Sequence, residues 1–187
     1  MPITTLDPKT ALVVIDLQKG IVSTPKVHPV EDVIKNVRRA LDAFRSHGLP
    51  VVLVNVAGGA PGRNDQGSRM GDLPEGWTDL VPELNQHPSD HLVTKRQWGA
   101  FTNTDLADYL RKVGVTQVVV VGISTSIGVE STARHAYELG FNVTLVIDAM
   151  TDTNMDAHTN SITRIFPRLG ETGNTDELIA MLDGGHR

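Results

Sequence analysis

The sequence contains no cysteine, and this absence narrows the chemistry open to the protein. Without a thiol, the chain forms no disulfide, no thiolate zinc site and no iron–sulfur cluster, and no cysteine acts as a nucleophile. Aromatic residues are also scarce, with two Trp, two Tyr and four Phe among 187 residues. An aromatic side chain close to a polar motif is therefore a useful marker of a binding site.

Long apolar runs and basic clusters are missing as well. No run approaches the ~18 apolar residues needed to span a bilayer, so we expect no membrane contact. The 17 basic and 22 acidic residues give a net charge of −5, which argues against a nucleic-acid partner. The N-terminal MPITTLDPKT has no basic region followed by an apolar stretch, so we expect no signal peptide and a cytoplasmic location. The length fits one domain, which we assign to residues 1–187.

Short runs rich in β-branched residues recur along the chain. They predict five strands, over residues 11–15, 51–56, 92–94, 118–121 and 143–147. Most of these runs are apolar at every position, which is typical of parallel strands covered by helices on both faces. Asp16 and Asp148 follow two of the runs directly, and we expect each to end its strand.

Longer amphipathic segments lie between the strand-like runs. They predict helices over residues 30–47, 104–110, 131–139, 155–166 and 176–182. Alternating strands and helices indicate an open, doubly wound α/β fold, in which ligands bind at the carboxyl ends of the strands. Residues 57–78 are rich in Gly, Pro and Asp and are long for a connection, so they form a functional loop or are poorly ordered.

Three of the predicted strand ends carry polar or small residues. Asp16 follows the first strand, Lys95 follows the third, and residues 122–130 (GISTSIGVE) lead from the fourth into a helix. Each feature alone has an ordinary explanation: Asp16 as a turn residue, Lys95 as a surface charge and residues 122–130 as a tight turn. Together, at the ligand end of the sheet, they indicate a site with a buried carboxylate, a buried ammonium group and free backbone N–H groups.

Four segments carry a resemblance to a known family. They are ALVVIDLQ (residues 11–18), KRQWGAFTNTDL (95–106), GISTSIGVESTARHAYELGF (122–141) and VIDA (146–149). In order and spacing the chain resembles the isochorismatase-like hydrolase superfamily over nearly its whole length. The resemblance implies a three-layer α/β/α fold with sheet order 3-2-1-4-5-6. It also implies a small-molecule substrate and a homodimer or homotetramer.

The resemblance also assigns roles to site residues. Most relatives are cysteine hydrolases with an Asp–Lys–Cys triad; Asp16 and Lys95 match the first two members, whereas Gly128 stands at the position of the cysteine. Glycine has no side chain to attack a carbonyl, so the acyl-enzyme route is excluded at this position. The isochorismatase branch also carries Gly here and hydrolyses an enol ether, with the aspartate as general acid.

Further residues are implied to contact the substrate. Relatives have a non-proline cis peptide that corresponds to Ile123–Ser124, and the N–H groups of Ser124 and Gly128 are the candidate oxyanion donors. We also assign Thr125 to the substrate site. Trp98 and Phe101 follow Lys95 closely and either wall the pocket or belong to the core.

We expect no metal and no cofactor. Nicotinamidase-like relatives hold a metal through Asp and His after the second strand, whereas residues 55–59 here are NVAGG. The chain also lacks the Gly-x-Gly-x-x-Gly and Gly-Lys-Ser/Thr motifs of nucleotide-binding loops. We expect His135 and His158 to lie on helix surfaces or interfaces rather than in a site.

Three functions remain open on the sequence alone. The leading hypothesis is a hydrolase of an enol ether such as isochorismate, which uses Asp16 for acid/base chemistry without a covalent intermediate. The second is a catalytically lapsed relative that acts as a ligand-binding oligomer, suggested by the missing thiol. The third is an amidase in which Asp16 activates water directly.

Overall fold

A computed structural model describes residues 3–65 and 71–184 of the chain. Its centre is a parallel sheet of six strands in the order β3-β2-β1-β4-β5-β6, which confirms the predicted topology. The strands are β1 (Thr10–Ile15), β2 (Val51–Val56), β3 (His91–Lys95), β4 (Gln117–Ile123), β5 (Asn142–Thr151) and β6 (Glu171–Gly173). The helices are α1 (Lys19–Val22), α2 (Val30–Ser46), α3 (Leu106–Lys112), α4 (Glu130–Glu138), α5 (Met155–Asn160) and α6 (Thr175–Asp183).

Helices cover both faces of the sheet, and each face has its own apolar core. Buried side chains of α2 and α6, such as Phe44 and Leu178, pack on one face. Side chains of α3 and α4, such as Leu110 and Ala133, pack on the other. The central strands β1 and β4 are buried at every position, which explains their unbroken apolar runs. Within residues 3–65 and 71–184, no helix is long and apolar enough to cross a membrane.

Strand β5 is longer than the sequence predicts. Asp148 was expected to end it, but the strand continues to Thr151 after a shift in its register with β4. The Asp148 carboxylate accepts hydrogen bonds of 2.8 and 2.9 Å from the backbone N–H and the hydroxyl of Thr175, at the start of α6. The prediction was wrong because Asp148 lies at an exposed position near the register shift, where a carboxylate is tolerated within the strand.

The predicted helix over residues 155–166 is also not uniform. Only α5, over its first six residues, is α-helical; a π-helical turn (Ser161–Ile165) and a 3₁₀ turn (Phe166–Arg168) follow it. Residues 57–65 and 71–78 contain no helix or strand, while residues 66–70 of the predicted long loop lie outside the described part of the chain. Residues 57–64 lie at the carboxyl end of β2, beside the site described next.

Candidate active site

Asp16 and Lys95 meet at the carboxyl ends of the strands. The Lys95 Nζ donates a hydrogen bond of 2.7 Å to Asp16 Oδ2, and the two residues are 2% and 5% exposed. Their strands are not neighbours, because β2 lies between β1 and β3. Two strand spacings amount to about 10 Å, and the long lysine side chain spans most of that distance. The carbonyl oxygen of Gln97 accepts a second hydrogen bond from Nζ, at 3.2 Å.

The end of β1 is shaped to present Asp16. Its φ of 51° lies in the left-handed region, which aspartate tolerates better than most residues, and its N–H donates to the Val54 carbonyl at 3.0 Å. On the other side of β1, Gly122 has a φ of 118°, and a Cβ there would lie 2.1 Å from the Ile15 carbonyl oxygen. Glycine at this position therefore lets the end of β4 approach the backbone that carries Asp16.

Burial and pairing act in opposite directions on the Asp16 carboxyl group. Burial raises the pKa of Asp16 and the charge and hydrogen bond of Lys95 lower it; burial has the larger effect, and the net result is a rise from 3.8 to about 6. Lys95 holds only Oδ2; Oδ1 is buried and has no hydrogen-bond partner among the described residues. A carboxyl group with a pKa near neutrality and one free oxygen is suited to exchange a proton with a ligand.

Gly128 borders this pair without filling the space beside it. A Cβ built at residue 128 would lie 3.2 Å from Asp16 Oδ2 and 2.9 Å from Ile15 Cγ2. A side chain at this position would therefore start in close contact with both the carboxylate and Ile15, so glycine allows the backbone of residue 128 to lie directly against Asp16.

A cavity of about 730 Å³ opens over the Asp16–Lys95 pair. This volume suits a small molecule. Its lining residues come from the ends of β1 to β4, from α1, from the 57–64 and 71–78 segments and from the residues after β4. They are Asp16, Ile21, Val56, Gly58, Gly59, Ala60, Pro61, Gly62, Arg63, Asn64, Trp77, Lys95, Gln97, Trp98, Ile123, Ser124, Ile127 and Gly128. The cavity is thus where the fold predicts a ligand site.

The structure separates the predicted substrate-binding residues into two groups. Ser124 and Trp98 line the cavity, and the Ile123–Ser124 peptide bond is cis. Phe101 and Thr125 do not line it among the described residues. Phe101 is buried in the core against Phe141, with ring centroids 6.0 Å apart. Its assignment to the pocket therefore finds no support, because its ring fills the space between helix and sheet.

Thr125 is fully buried and its hydroxyl lies 2.8 Å from His158 Nδ1, away from the cavity. The same contact places His158, which is 6% exposed, at the interface between α5 and Thr125, one of the two locations expected for it. Its ring packs beside that of His28, with centroids 4.7 Å apart. The rest of the chain buries His158 against the loop after β4, and helical periodicity alone gives no sign of this.

Sequence reasoning missed part of the cavity wall. Trp77, Gln97 and residues 58–64 line it, and only the unusual length and composition of the 57–78 segment pointed toward them. Trp77 sits directly over Gly20, where a Cβ would lie 2.1 Å from the indole Nε1. The scarcity of aromatic residues in the chain was the signal that could have identified Trp77. Trp77 is distant in sequence from Asp16 and Lys95, however, so the sequence alone did not place it in the cavity wall.

Among the residues that the structure describes, no three or more His, Asp and Glu side chains form a group that could hold a metal ion.

Comparison with known proteins agrees with the fold and identifies the family. Residues 10–177 match the model of the isochorismatase domain. YwoC of Bacillus subtilis, described as an isochorismatase family protein, is 42% identical over 178 residues, which cover 91% of this chain and 93% of YwoC. The ureidoacrylate amidohydrolase RutB of Stutzerimonas stutzeri is 31% identical over 171 residues, covering 75% of this chain and 69% of RutB.

A solved structure gives the same result in three dimensions. An isochorismatase family protein from Burkholderia thailandensis superposes with a TM-score of 0.92 at 42% identity. The match covers 97% of this chain and 98% of that protein. Similarity of this extent covers the sheet, the helices on both faces and every strand end that borders the cavity.

Proposed function

The chain belongs to the isochorismatase family, and from this premise we propose that it hydrolyses a small-molecule enol ether, such as isochorismate or a related compound. Asp16 acts as the proton donor, and no covalent intermediate forms on the protein. The observation that carries the proposal is the buried Asp16 carboxyl group, with one oxygen held by Lys95, the other unpartnered and no thiol beside it.

The first step is proton transfer from Asp16 to the terminal carbon of the enol ether. This step needs a protonated carboxyl group, and burial favours that form by raising the pKa of Asp16 to about 6. Protonation leaves a cationic carbon attached to the ether oxygen. Water then adds to that carbon and returns a proton to the Asp16 carboxylate, and the resulting hemiketal breaks into a ketone and an alcohol.

Lys95 and the loop after β4 orient the reacting groups. The ammonium group of Lys95 fixes Oδ2 and leaves Oδ1 for the substrate. The backbone N–H groups of Ser124 and Gly128, both residues of the cavity wall, are the candidate donors to the ether oxygen, which gains negative charge as the hemiketal breaks. The indole rings of Trp77 and Trp98 supply apolar walls for the unsaturated part of the substrate.

The pH dependence of turnover tests the role of Asp16 directly. The proton donor must be protonated, and the protonated fraction falls as the pH rises through a pKa of about 6. With isochorismate as substrate, kcat/KM is therefore expected to be level below that pH and to fall about tenfold per pH unit above it. The measurement is initial rates from pH 5 to pH 8.

Two controls belong to this experiment. Rates without protein must be subtracted, because acid alone hydrolyses enol ethers, and circular dichroism must show an unchanged fold across the pH range. A rate that increases with pH through about 6 would assign Asp16 the role of a base instead and would contradict proton donation.

The second candidate function is amide hydrolysis by water that Asp16 activates. The amidohydrolase RutB among the relatives favours it. This reaction needs the ionised carboxylate, so its rate on ureidoacrylate would increase with pH through about 6. Because no thiol is present, hydroxylamine would trap no acyl-enzyme in this case.

A further inference from the structure

Asp152 is a buried carboxylate behind the candidate site to which the proposed mechanism gives no role. It follows Thr151, the last residue of β5, and is 1% exposed. Thr151 pairs with Ile123, the last residue of β4. Asp152 therefore stands beside the start of residues 124–128, which include most of a π-helical turn (Thr125–Val129) and which we call the 124–128 loop.

The two carboxylate oxygens of Asp152 hold different segments. Oδ2 accepts hydrogen bonds from the backbone N–H of Ser126 at 2.7 Å and from its hydroxyl at 2.8 Å. Oδ1 accepts from the N–H groups of Thr153 at 2.7 Å and Asn154 at 3.3 Å. Within the described residues no ion pair involves Asp152, so these four hydrogen bonds, together with the longer-range charge of Lys26, compensate its burial.

A second attachment lies next to the first. The Thr125 hydroxyl contacts His158 Nδ1 at 2.8 Å, and His158 belongs to α5, which follows the Asp152 turn. Residues 125 and 126 of the loop are thus both fixed to the segment after β5. Their neighbours Ser124 and Gly128 line the cavity instead. The loop is therefore held on one side by the segment after β5, while its other side borders the cavity.

We propose that Asp152 is a positioning residue that sets the orientation of the 124–128 loop. The Asp152 carboxylate holds the Ser126 N–H on the side of the loop that faces away from the cavity. This contact fixes the peptide planes on either side of Ser126, and thereby the orientation of the N–H groups of Ser124 and Gly128. The inference rests on the proposed function, in which those groups stabilise developing charge. Preorganised donors lose their effect when they are misplaced by even about 1 Å, so the anchor matters although it touches no substrate.

The test replaces Asp152 by asparagine. Asparagine has nearly the same shape as aspartate, but one of its two polar atoms is an NH₂ group, which donates hydrogen bonds. That group must face either the Ser126 N–H or the N–H groups of Thr153 and Asn154, which are also donors, so the hydrogen bonds on that side are lost. We expect Asp152→Asn to lower kcat on isochorismate about 10-fold or more, with KM changed less than about threefold, because the loss affects the transition state. Asp156→Asn, at an exposed position of α5, is the matched control and is expected to retain the kcat of the parent protein.

A spectroscopic readout makes the test independent of the substrate. In ¹⁵N-labelled protein, Asp152→Asn is expected to shift the amide resonances of the 124–128 loop and to speed hydrogen exchange there about 10-fold or more. Amides of α2 are expected to exchange at the parent rate. If Asp152→Asn does not fold, Ser126→Ala removes only one of the four hydrogen bonds, and kcat is then expected to fall about fivefold.

The outcomes separate this inference from the proposed function. Failure of the parent protein to hydrolyse isochorismate would count against the function, while the amide measurements would still decide the role of Asp152. Unchanged loop resonances and exchange would overturn the positioning role. An increase in kcat would overturn it too, because it would mean that the negative charge of Asp152 opposes the site. A uniform loss of stability with unchanged kcat would assign Asp152 a purely structural role.

Discussion

Asp16→Asn is expected to reduce hydrolysis of isochorismate by about 100-fold to 10,000-fold, the usual contribution of a positioned proton donor. The amide is nearly the same size as the carboxyl group but cannot deliver a proton to carbon. The loss should be largest at pH 5 to 6 and smaller toward pH 8, where the parent itself holds little protonated Asp16, while the variant has no donor at any pH. Steady-state kinetics on the purified variant measures it.

The matched control for this variant is Asp79→Asn. Asp79 is another aspartate paired with a lysine, at 2.9 Å from Lys19, but both side chains are more than half exposed. Its replacement is expected to leave turnover unchanged. Normal turnover by Asp16→Asn would contradict the assigned mechanism. If the parent protein itself turned over neither isochorismate nor ureidoacrylate while binding either one, the ligand-binding alternative would gain support.

Lys95→Met is expected to lower the free energy of unfolding by about 3–5 kcal/mol at pH 7, because it leaves Asp16 buried without its partner. Lys95 lowers the pKa of Asp16, so its removal raises that pKa above about 6 and the folded variant must hold the proton more tightly. Urea unfolding monitored by circular dichroism measures the change. Lys19→Met, at an exposed ion pair, is expected to cost at most about 1 kcal/mol.

The sign of the pH effect follows from linkage. The pKa of Asp16 is higher in the folded protein than in the unfolded chain. Its contribution to the free energy of unfolding is therefore present at low pH and is lost as the pH rises toward the folded-state pKa. In Lys95→Met this loss of stability continues to higher pH than in the parent protein, in which the pKa of Asp16 is about 6. The destabilisation by Lys95→Met should therefore be largest at pH 7 and smaller at pH 4.

A double variant separates charge from packing. Asp16→Asn combined with Lys95→Met removes both charges, so no unpaired carboxylate is left in the interior, and much of the lost stability should return. Equal stability of Lys95→Met and the parent at pH 7 would mean that the two side chains do not depend on each other in the folded protein. This result would contradict the role of Lys95 as the group that lowers the pKa of Asp16 and holds its Oδ2.

The sequence alone was sufficient to predict the fold class and the edge of the sheet at which the site lies. Apolar runs such as 118–121 required cover on both faces, and hence a parallel sheet with helices on either side. In such a sheet, the residue after each run lies at one common edge, which made Asp16 and Lys95 candidates together. The missing cysteine excluded a thiol nucleophile without any structure. These conclusions depend on local pattern and composition, which the sequence states directly.

Tertiary structure decided everything that depends on distance and burial. Only the folded chain brings Lys95 across β2 to within 2.7 Å of Asp16 and raises the pKa of that carboxyl group. It also turns Phe101 and Thr125 away from the cavity, and it buries Asp152 behind the 124–128 loop. These facts arise from contacts between segments distant in sequence, and neither periodicity nor composition of one segment carries information about the partner that will cover it.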